Sequence, residues 1–304
     1  MMESAEKKPL ERSAELPTWA LIFVIYTLWS LLLYHLPGLP WWVACPAGAV
    51  LVAWYGNLQH ELLHGHPTRF RPLNAVFGWA PLTLWMPYHI YSESHLEHHK
   101  ADTLTDPTDD PESYYFMSKD WQALNPLVRF LMVANNTLAG RMLVGPAIVI
   151  TRFFVSEILM ILRMDFKHLH GWIIHIGLST VFIYGIHHYL GIPWWYYVAG
   201  IAYPGLSLSL VRSFYEHRPS DIAEQRTAIV EAGPLWSLLF LNNNLHVVHH
   251  DFPSMPWFNI PRIYRENRAE VLEKNGGFLF NGYSDVFMRY FLKSKDTPVY
   301  PVFK

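Results

Sequence analysis

The chain has 304 residues, of which 51% are hydrophobic, 16% aromatic and only 16% charged, with a net charge of −2. Soluble domains carry about 25% charged residues, so this composition points to one membrane-embedded unit and excludes a disordered chain. The near-neutral balance excludes a strongly basic nucleic-acid binder, and the single Cys45 excludes a disulfide framework or cysteine-rich metal site.

In chain order, residues 1–16 are charged and weakly patterned, a flexible cytoplasmic lead-in with no cleavage site of a signal peptide. Residues 19–36 are almost wholly apolar and long enough to span a bilayer. The linker Pro37-Gly38-Leu39-Pro40 leads into a second apolar run, residues 41–58. Two runs joined by so short a turn predict a transmembrane hairpin. Residues 172–187 and 194–211 predict a second hairpin, closed by a loop ending in Pro193. Trp41-Trp42 and Trp194-Trp195 open the second and fourth runs, where interfacial aromatic anchors are expected. Residues 73–87 and 142–162 are apolar but interrupted by proline or arginine, which predicts interfacial or re-entrant helices.

All 23 lysines and arginines lie in the N-terminal tail, between the second and third runs, or after the fourth. By the positive-inside rule those three regions, and both termini, share the cytoplasmic side. The predicted fold is therefore an all-α integral membrane protein. It has four transmembrane helices in two hairpins and a cytosolic helical cap. The whole of residues 1–304 reads as one domain, with 266–304 as a C-terminal cytosolic extension.

The 17 histidines are not scattered. His60-Glu61-Leu62-Leu63-His64 follows the second run and His95-Leu96-Glu97-His98-His99 follows the first interfacial stretch. His217 stands just past the fourth run, and His246-Val247-Val248-His249-His250 follows Asn242-Asn243-Asn244. Residues three and four apart share a helix face, so each group aims its imidazoles at one point. The predicted topology puts all of them on the cytoplasmic side, where they can converge. Neutral imidazole is a good ligand for iron, zinc or copper. Eight or nine are too many for one tetrahedral zinc and suit two five- or six-coordinate metals with open positions. His35, His89, His170 and His175 read as packed or interfacial residues, and His187-His188 as polar residues of the outer loop.

Two other readings weigh against this one. His60-Glu61-Leu62-Leu63-His64 also matches HExxH, the zinc-protease helix whose glutamate is the general base. An intramembrane protease has no use for two further HxxHH clusters. A metal carrier keeps its ligands along the middle of its spans, whereas these runs are nearly free of ionisable groups.

The three clusters, in order and spacing, resemble the histidine boxes of the membrane fatty acid desaturase and hydroxylase superfamily. His60 and His64 match HxxxH; His95, His98 and His99 match the first HxxHH; His246, His249 and His250 match the second, with Asn243 or Asn244 upstream. His217 occupies the place of a further ligand between last span and third box. Asp106-Pro107-Thr108-Asp109-Asp110-Pro111-Glu112, Phe252-Pro253 and Pro256-Trp257 are also family-like, and the resemblance covers residues 20–265. It implies a cytosolic cap holding two non-haem irons on these nine histidines, with O2 as co-substrate and an unactivated C–H bond of a lipid as target. Fatty acid desaturation is the leading expectation. Hydroxylation or ketolation of a lipid or carotenoid, and oxidative decarboxylation to a terminal alkene, use the same site and remain open.

No His-Pro-Gly-Gly motif of a fused cytochrome b5 is present. Electrons are therefore expected from a separate ferredoxin, rubredoxin or cytochrome b5 with its reductase. The expected location is the cell inner membrane or the endoplasmic reticulum. Glu61, Glu97, Asn243, Asn244 and Glu216, with Asp102, Asp106 and Asp109, are expected to orient the ligands; helix capping and surface solvation are their ordinary alternatives.

Overall fold

The computed structural model describes residues 14–301, so most of the expected flexible lead-in, residues 1–13, lies outside the described residues. Its end does not behave as a lead-in. Glu15 is only 2% exposed, and its carboxylate accepts from Nδ1 of the fully buried His66 at 2.9 Å.

The described chain is almost entirely helical. Helix α1 (Leu16–His35) is capped by the turn Leu36–Gly38 and followed by α2 (Trp41–Leu63), α3 (Arg71–Gly78) and α4 (Tyr88–His98). Short helices α5 (Ser118–Ala123), α6 (Pro126–Asn135) and α7 (Leu138–Leu143) lead into α8 (Gly145–Leu162) and α9 (Leu169–Leu190). Then come α10 (Trp194–Tyr197), a π-helical turn Val198–Ala202, and α11 (Tyr203–Ser213). The remainder holds α12 (Pro234–Leu239), α13 (His246–Asp251), α14 (Ile260–Lys274) and α15 (Tyr283–Tyr290). One parallel ladder departs from the all-α expectation: β1 (Ile229–Val230) pairs β2 (Leu279–Phe280), with Ile229 opposite Leu279.

Among the described residues three helices are long and apolar enough to cross a membrane: Leu16–Gly38, Gly145–Leu162 and Leu169–Leu190. The first and third coincide with expected spans. The expected second span is a continuous 23-residue helix, α2, but Asn57, Gln59, His60 and Glu61 in its last turns dilute its apolar character. The expected fourth is interrupted by the π turn. The stretch 142–162, expected to be broken, instead holds the unbroken 18-residue α8. Pro146 lies in its first turn, where a missing N–H leaves no helical bond unmade.

Helix α8 runs beside the elements that carry the second histidine cluster. A Cβ added at Gly145 would meet Asn135 Oδ1 at 3.1 Å and Arg141 Cδ at 3.2 Å. Midway along, Arg152 Nη2 donates to the Ser113 carbonyl at 3.3 Å. Near the C-terminal end, Glu157 accepts from His168 Nδ1 at 2.9 Å and from Trp172 Nε1 at 2.8 Å. His168 Nε2 in turn stands 3.7 Å from Glu93 on α4.

Three apolar clusters hold these pieces together. Trp29, Tyr55, Tyr197 and Ile201 belong to the one that joins α1, α2, α9 and α10. Phe214, Tyr215, Phe240 and Phe280 form a second behind the histidines, and Ile229, Val248, Ile263 and Val271 a third beneath α13 and α14. The approach of α2 to α11 is close enough to need glycine, since a Cβ on Gly205 would stand 2.5 Å from Val52 Cβ. Large apolar side chains such as Phe23, Ile158, Leu162, Ile173 and Val181 point outward from α1, α8 and α9, as expected of helices solvated by lipid tails.

Candidate metal centre

Each histidine cluster sits where a helix ends. His60 is in the last turn of α2 and His64 is its C-cap. His95 and His98 close α4, and His99 is its C-cap. His246, His249 and His250 make up half of the six-residue α13. Before α13 the chain turns through left-handed backbone at Leu241 (φ 48°) and Asn242 (φ 58°). That conformation is unusual for leucine, and here the Asn242 amide steadies it by donating to the Trp257 carbonyl at 3.0 Å. His217 lies four residues past α11 and bridges to Thr227.

All nine histidines converge in two groups. His60, His64, His95, His99 and His249 place one ring nitrogen each within 4.8 Å of one another, and His98, His217 and His250 do the same. His246 joins the second group, with Nε2 3.1 Å from His217 Nε2. Further Nε2···Nε2 separations are 3.2 Å for His98–His217, 3.1 Å for His95–His99 and 3.0 Å for His99–His249. Five of the nine, His60, His95, His98, His246 and His249, are at most 3% exposed.

The second nitrogens bear on whether this packing suits a cation. His98 Nδ1 is 2.7 Å from Asp110 Oδ1, His95 Nδ1 is 3.0 Å from Glu112, and His246 Nδ1 is 3.0 Å from Asn243 Oδ1. Each acceptor holds the proton on Nδ1 and so leaves a bare lone pair on Nε2. Lone pairs turned toward one another at about 3 Å repel. Two imidazole nitrogens set at right angles around one metal, each about 2.1 Å from it, stand about 3.0 Å apart. The buried Nε2 atoms of His64 and His250 have no hydrogen-bond partner among the described residues. Orphaned buried nitrogens, all-nitrogen donors and these separations fit two metal ions, held by five and four histidines.

Burial keeps most of these rings neutral, the form that binds metal. His217, His246, His249 and His250 are pushed well below the ordinary histidine value by desolvation and by one another. His99 falls to about 3 for the same reasons. His98 goes the other way: burial works against its charge, but Glu112 and Asp110 outweigh it. Burial pushes Glu61 up to about 7.

The expected orienting residues divide. Asn243 Nδ2 lies 3.3 Å from the ring nitrogens of His60 while its Oδ1 serves His246, and Glu216 lies 3.4 Å from His246 Nδ1 and 2.8 Å from Arg212. Glu61 reaches His60 only at 3.8 Å and accepts from the Trp257 N–H. Asn244 instead donates to the Val230 carbonyl, and Glu97 is exposed on the cavity wall. Asp106 and Asp109 cap turns at Thr108 and Thr103, and the Asp102 carbonyl accepts from Arg226. Asp110 and Glu112, which take up the work, stand in the same acidic run but were not singled out by their sequence context. His175 and His187 bond backbone carbonyls at Leu84 and Ile192, away from the centre. His187 and His188 belong to the last turn of α9 rather than to a loop.

A cavity of about 620 Å³ opens beside the centre, with His95, His98, His217 and His246 in its wall. Its apolar lining includes Trp85, Met86, Ile148, Phe153 and Leu206. The family model described as "Fatty acid desaturase" matches residues 39–281, 243 of the 304 residues. The chain belongs to the fatty acid desaturase family. Comparison with curated proteins finds no match. Family membership makes the chain an oxidoreductase of lipid metabolism, and the histidine boxes of a fatty acid desaturase are the residues that converge here.

Proposed function

We propose that the chain is a membrane diiron enzyme that desaturates a fatty acyl chain, with the nine histidines as its metal ligands. The observation that carries this reading is the contact between the two histidine groups and a mostly apolar cavity of about 620 Å³. That volume falls within the range of about 300–1,000 Å³ usual for ligand sites. Two irons bound there supply dioxygen activation for breaking an unactivated C–H bond. The chain's own residues do the rest. Asp110, Glu112 and Asn243 hold Nδ1 protons on His98, His95 and His246 and so aim the Nε2 lone pairs. Trp85, Met86 and Phe153 exclude water and constrain an alkyl chain.

In this reading residues 1–304 form one domain with four spans in two hairpins, the boxes and both termini facing the cytoplasm of an inner membrane or endoplasmic reticulum. Electrons come from a separate carrier. The contacts of α8 at three points, Gly145 beside Arg141, Arg152 with Ser113 and Glu157 with His168, support a helix lying along the membrane boundary beside the site rather than a fifth span.

Metal analysis of protein expressed with adequate iron, and mass spectrometry of lipids from cells carrying it, test the proposal. About two irons per chain and new double bonds that vanish in His98→Ala are expected. One zinc and no iron would return the HExxH protease, and hydroxylated lipids without new double bonds would move the reaction to hydroxylation.

A further inference from the structure

The cavity is not apolar throughout. Arg141, on α7, lies in its wall and is 4% exposed. Its guanidinium packs on the Tyr114 ring, 4.5 Å from the centroid, and its Nε has no hydrogen-bond partner among the described residues. Arg152 also lines the cavity, from the apolar helix α8, and among the described residues its one side-chain hydrogen bond is to the Ser113 carbonyl. Among the described residues the arginine ion pairs involve Arg262, Arg268, Arg289 and Arg212, a third lining residue held by Glu216 at 2.8 Å, and neither Arg141 nor Arg152 has one. Asp296, whose charge reaches Arg141, is already engaged by Tyr115, by Asn136 at 3.0 Å and by Lys295 at 3.8 Å.

A buried cation without a counter-charge is costly. The buried Arg141 and the exposed Arg152, both in the cavity lining, leave a place for an anion. The place adjoins the metal centre: Lys295 Nζ bonds the Tyr114 hydroxyl and donates to the His217 carbonyl at 3.0 Å. An acyl ester or thioester presents a neutral carbonyl at the head of its chain and leaves both guanidiniums unpaired. A free carboxylate presents two oxygens in the geometry that a guanidinium matches.

We propose that Arg141 and Arg152 form a carboxylate-binding subsite in this cavity and that the substrate enters as a free fatty acid. The inference rests on the reading of the cavity as the acyl site. Other chain-bearing anions, such as a lysophosphatidate, present a larger negative charge on a bulkier tetrahedral head.

Equilibrium binding to the iron-loaded protein in nanodiscs tests it. Radiolabelled hexadecanoic acid is displaced by unlabelled hexadecanoic acid, methyl hexadecanoate, hexadecanoyl-CoA and hexadecanoyl-lysophosphatidate. The acid should bind at least about 10-fold more tightly than the methyl ester, the usual scale of a charge-assisted pair. Arg141→Gln should remove most of that preference and leave ester binding unchanged. Arg152→Gln, at an exposed side chain, keeps the test valid if the Arg141 variant does not fold, and should weaken the acid alone. Equal binding of acid and methyl ester, or tighter binding of the thioester or the lysophosphatidate, would overturn the inference. Iron content, measured on the same samples, reports on the metal centre separately: full iron without acid preference overturns the subsite alone, and absent iron overturns the diiron reading.

Discussion

His98 and Asp110 form an imidazole–carboxylate pair of 2.7 Å that is closed to water, with the two residues 1% and 4% exposed. The carboxylate is itself fixed, accepting from the Thr105 N–H at 2.8 Å and the Glu112 N–H at 2.9 Å. Asp110→Ala therefore frees the His98 ring to rotate and to exchange its proton between nitrogens. A loss of 10–100-fold in metal affinity is expected on the general scale for such partners. Titration with an iron chelator measures it; a variant that holds iron like the parent would show that the ring is positioned by packing alone. Asp109→Ala, which removes only a turn contact with Thr103, serves as the comparison and should be silent.

His217→Ala should strip metal and abolish turnover while the protein still inserts, because its Nε2 stands within 3.2 Å of both His98 and His246. His187→Ala removes one bond to the Ile192 carbonyl at the far end of α9 and should cost no iron. Elemental analysis of the two variants side by side decides. Equal iron in both would remove His217 from the ligand set.

Removal of metal should destabilise the whole site-bearing region. A ligand present at about 1,000 times its dissociation constant stabilises by about 4 kcal/mol, and on the scale of a chain this size that is a Tm drop on the order of 10 °C. The Nε2 atoms left facing one another add to it. Thermal melting before and after chelation reads the difference, and an unchanged Tm would mean that the histidine groups need no cation.

Helix α2 carries His60 and His64 and depends on its close approach to α11. Gly205→Ala puts a methyl group 2.5 Å from Val52 Cβ and should cost about 1–3 kcal/mol through overpacking. It should also lower iron content, since His217 follows α11. Gly177→Ala on α9, where nothing lies within 4 Å, should leave Tm and iron as they were or raise Tm slightly. Iron loss in the Gly177 variant of the same size would sever the link between helix approach and metal.

With Cys45 replaced by alanine, a cysteine at Gly38 should react with an impermeant reagent from outside intact cells, and one at the exposed Asp221 only after lysis. Ser113 is a poor probe of the inner side, being only 8% exposed. Labelling of Asp221→Cys from outside would separate the boxes from cytosolic reductants.

The nine histidines were legible because helix periodicity projects i, i+3 and i+4 onto one face, so type and spacing alone carried the geometry. His217 was legible only through its place after an apolar run. The partners were not, since which carboxylate of the run 106–112 reaches a ring depends on turns that put Asp110 inward and Asp109 outward. Asn243 and Asn244 are adjacent and identical, yet backbone direction gives the first to the histidines and the second to Val230. The interruption read into 142–162 failed for a local reason: Pro146 starts α8 and Arg152 turns toward the cavity. Nothing in the sequence marked Glu15 as buried, because its partner His66 lies 51 residues away.

That pair fixes a depth. Glu15 precedes the first residue of α1, a 20-residue helix, about 30 Å long at the α-helical rise and thus as long as the hydrocarbon layer is thick. His66 stands two residues past the first histidine box, so this hydrogen bond ties that box to the start of the first apolar helix. In the proposed reading, a centre held at that level would meet an alkyl chain sliding in from one side and a docking protein arriving through water from the other, and neither would have to cross the bilayer to reach it.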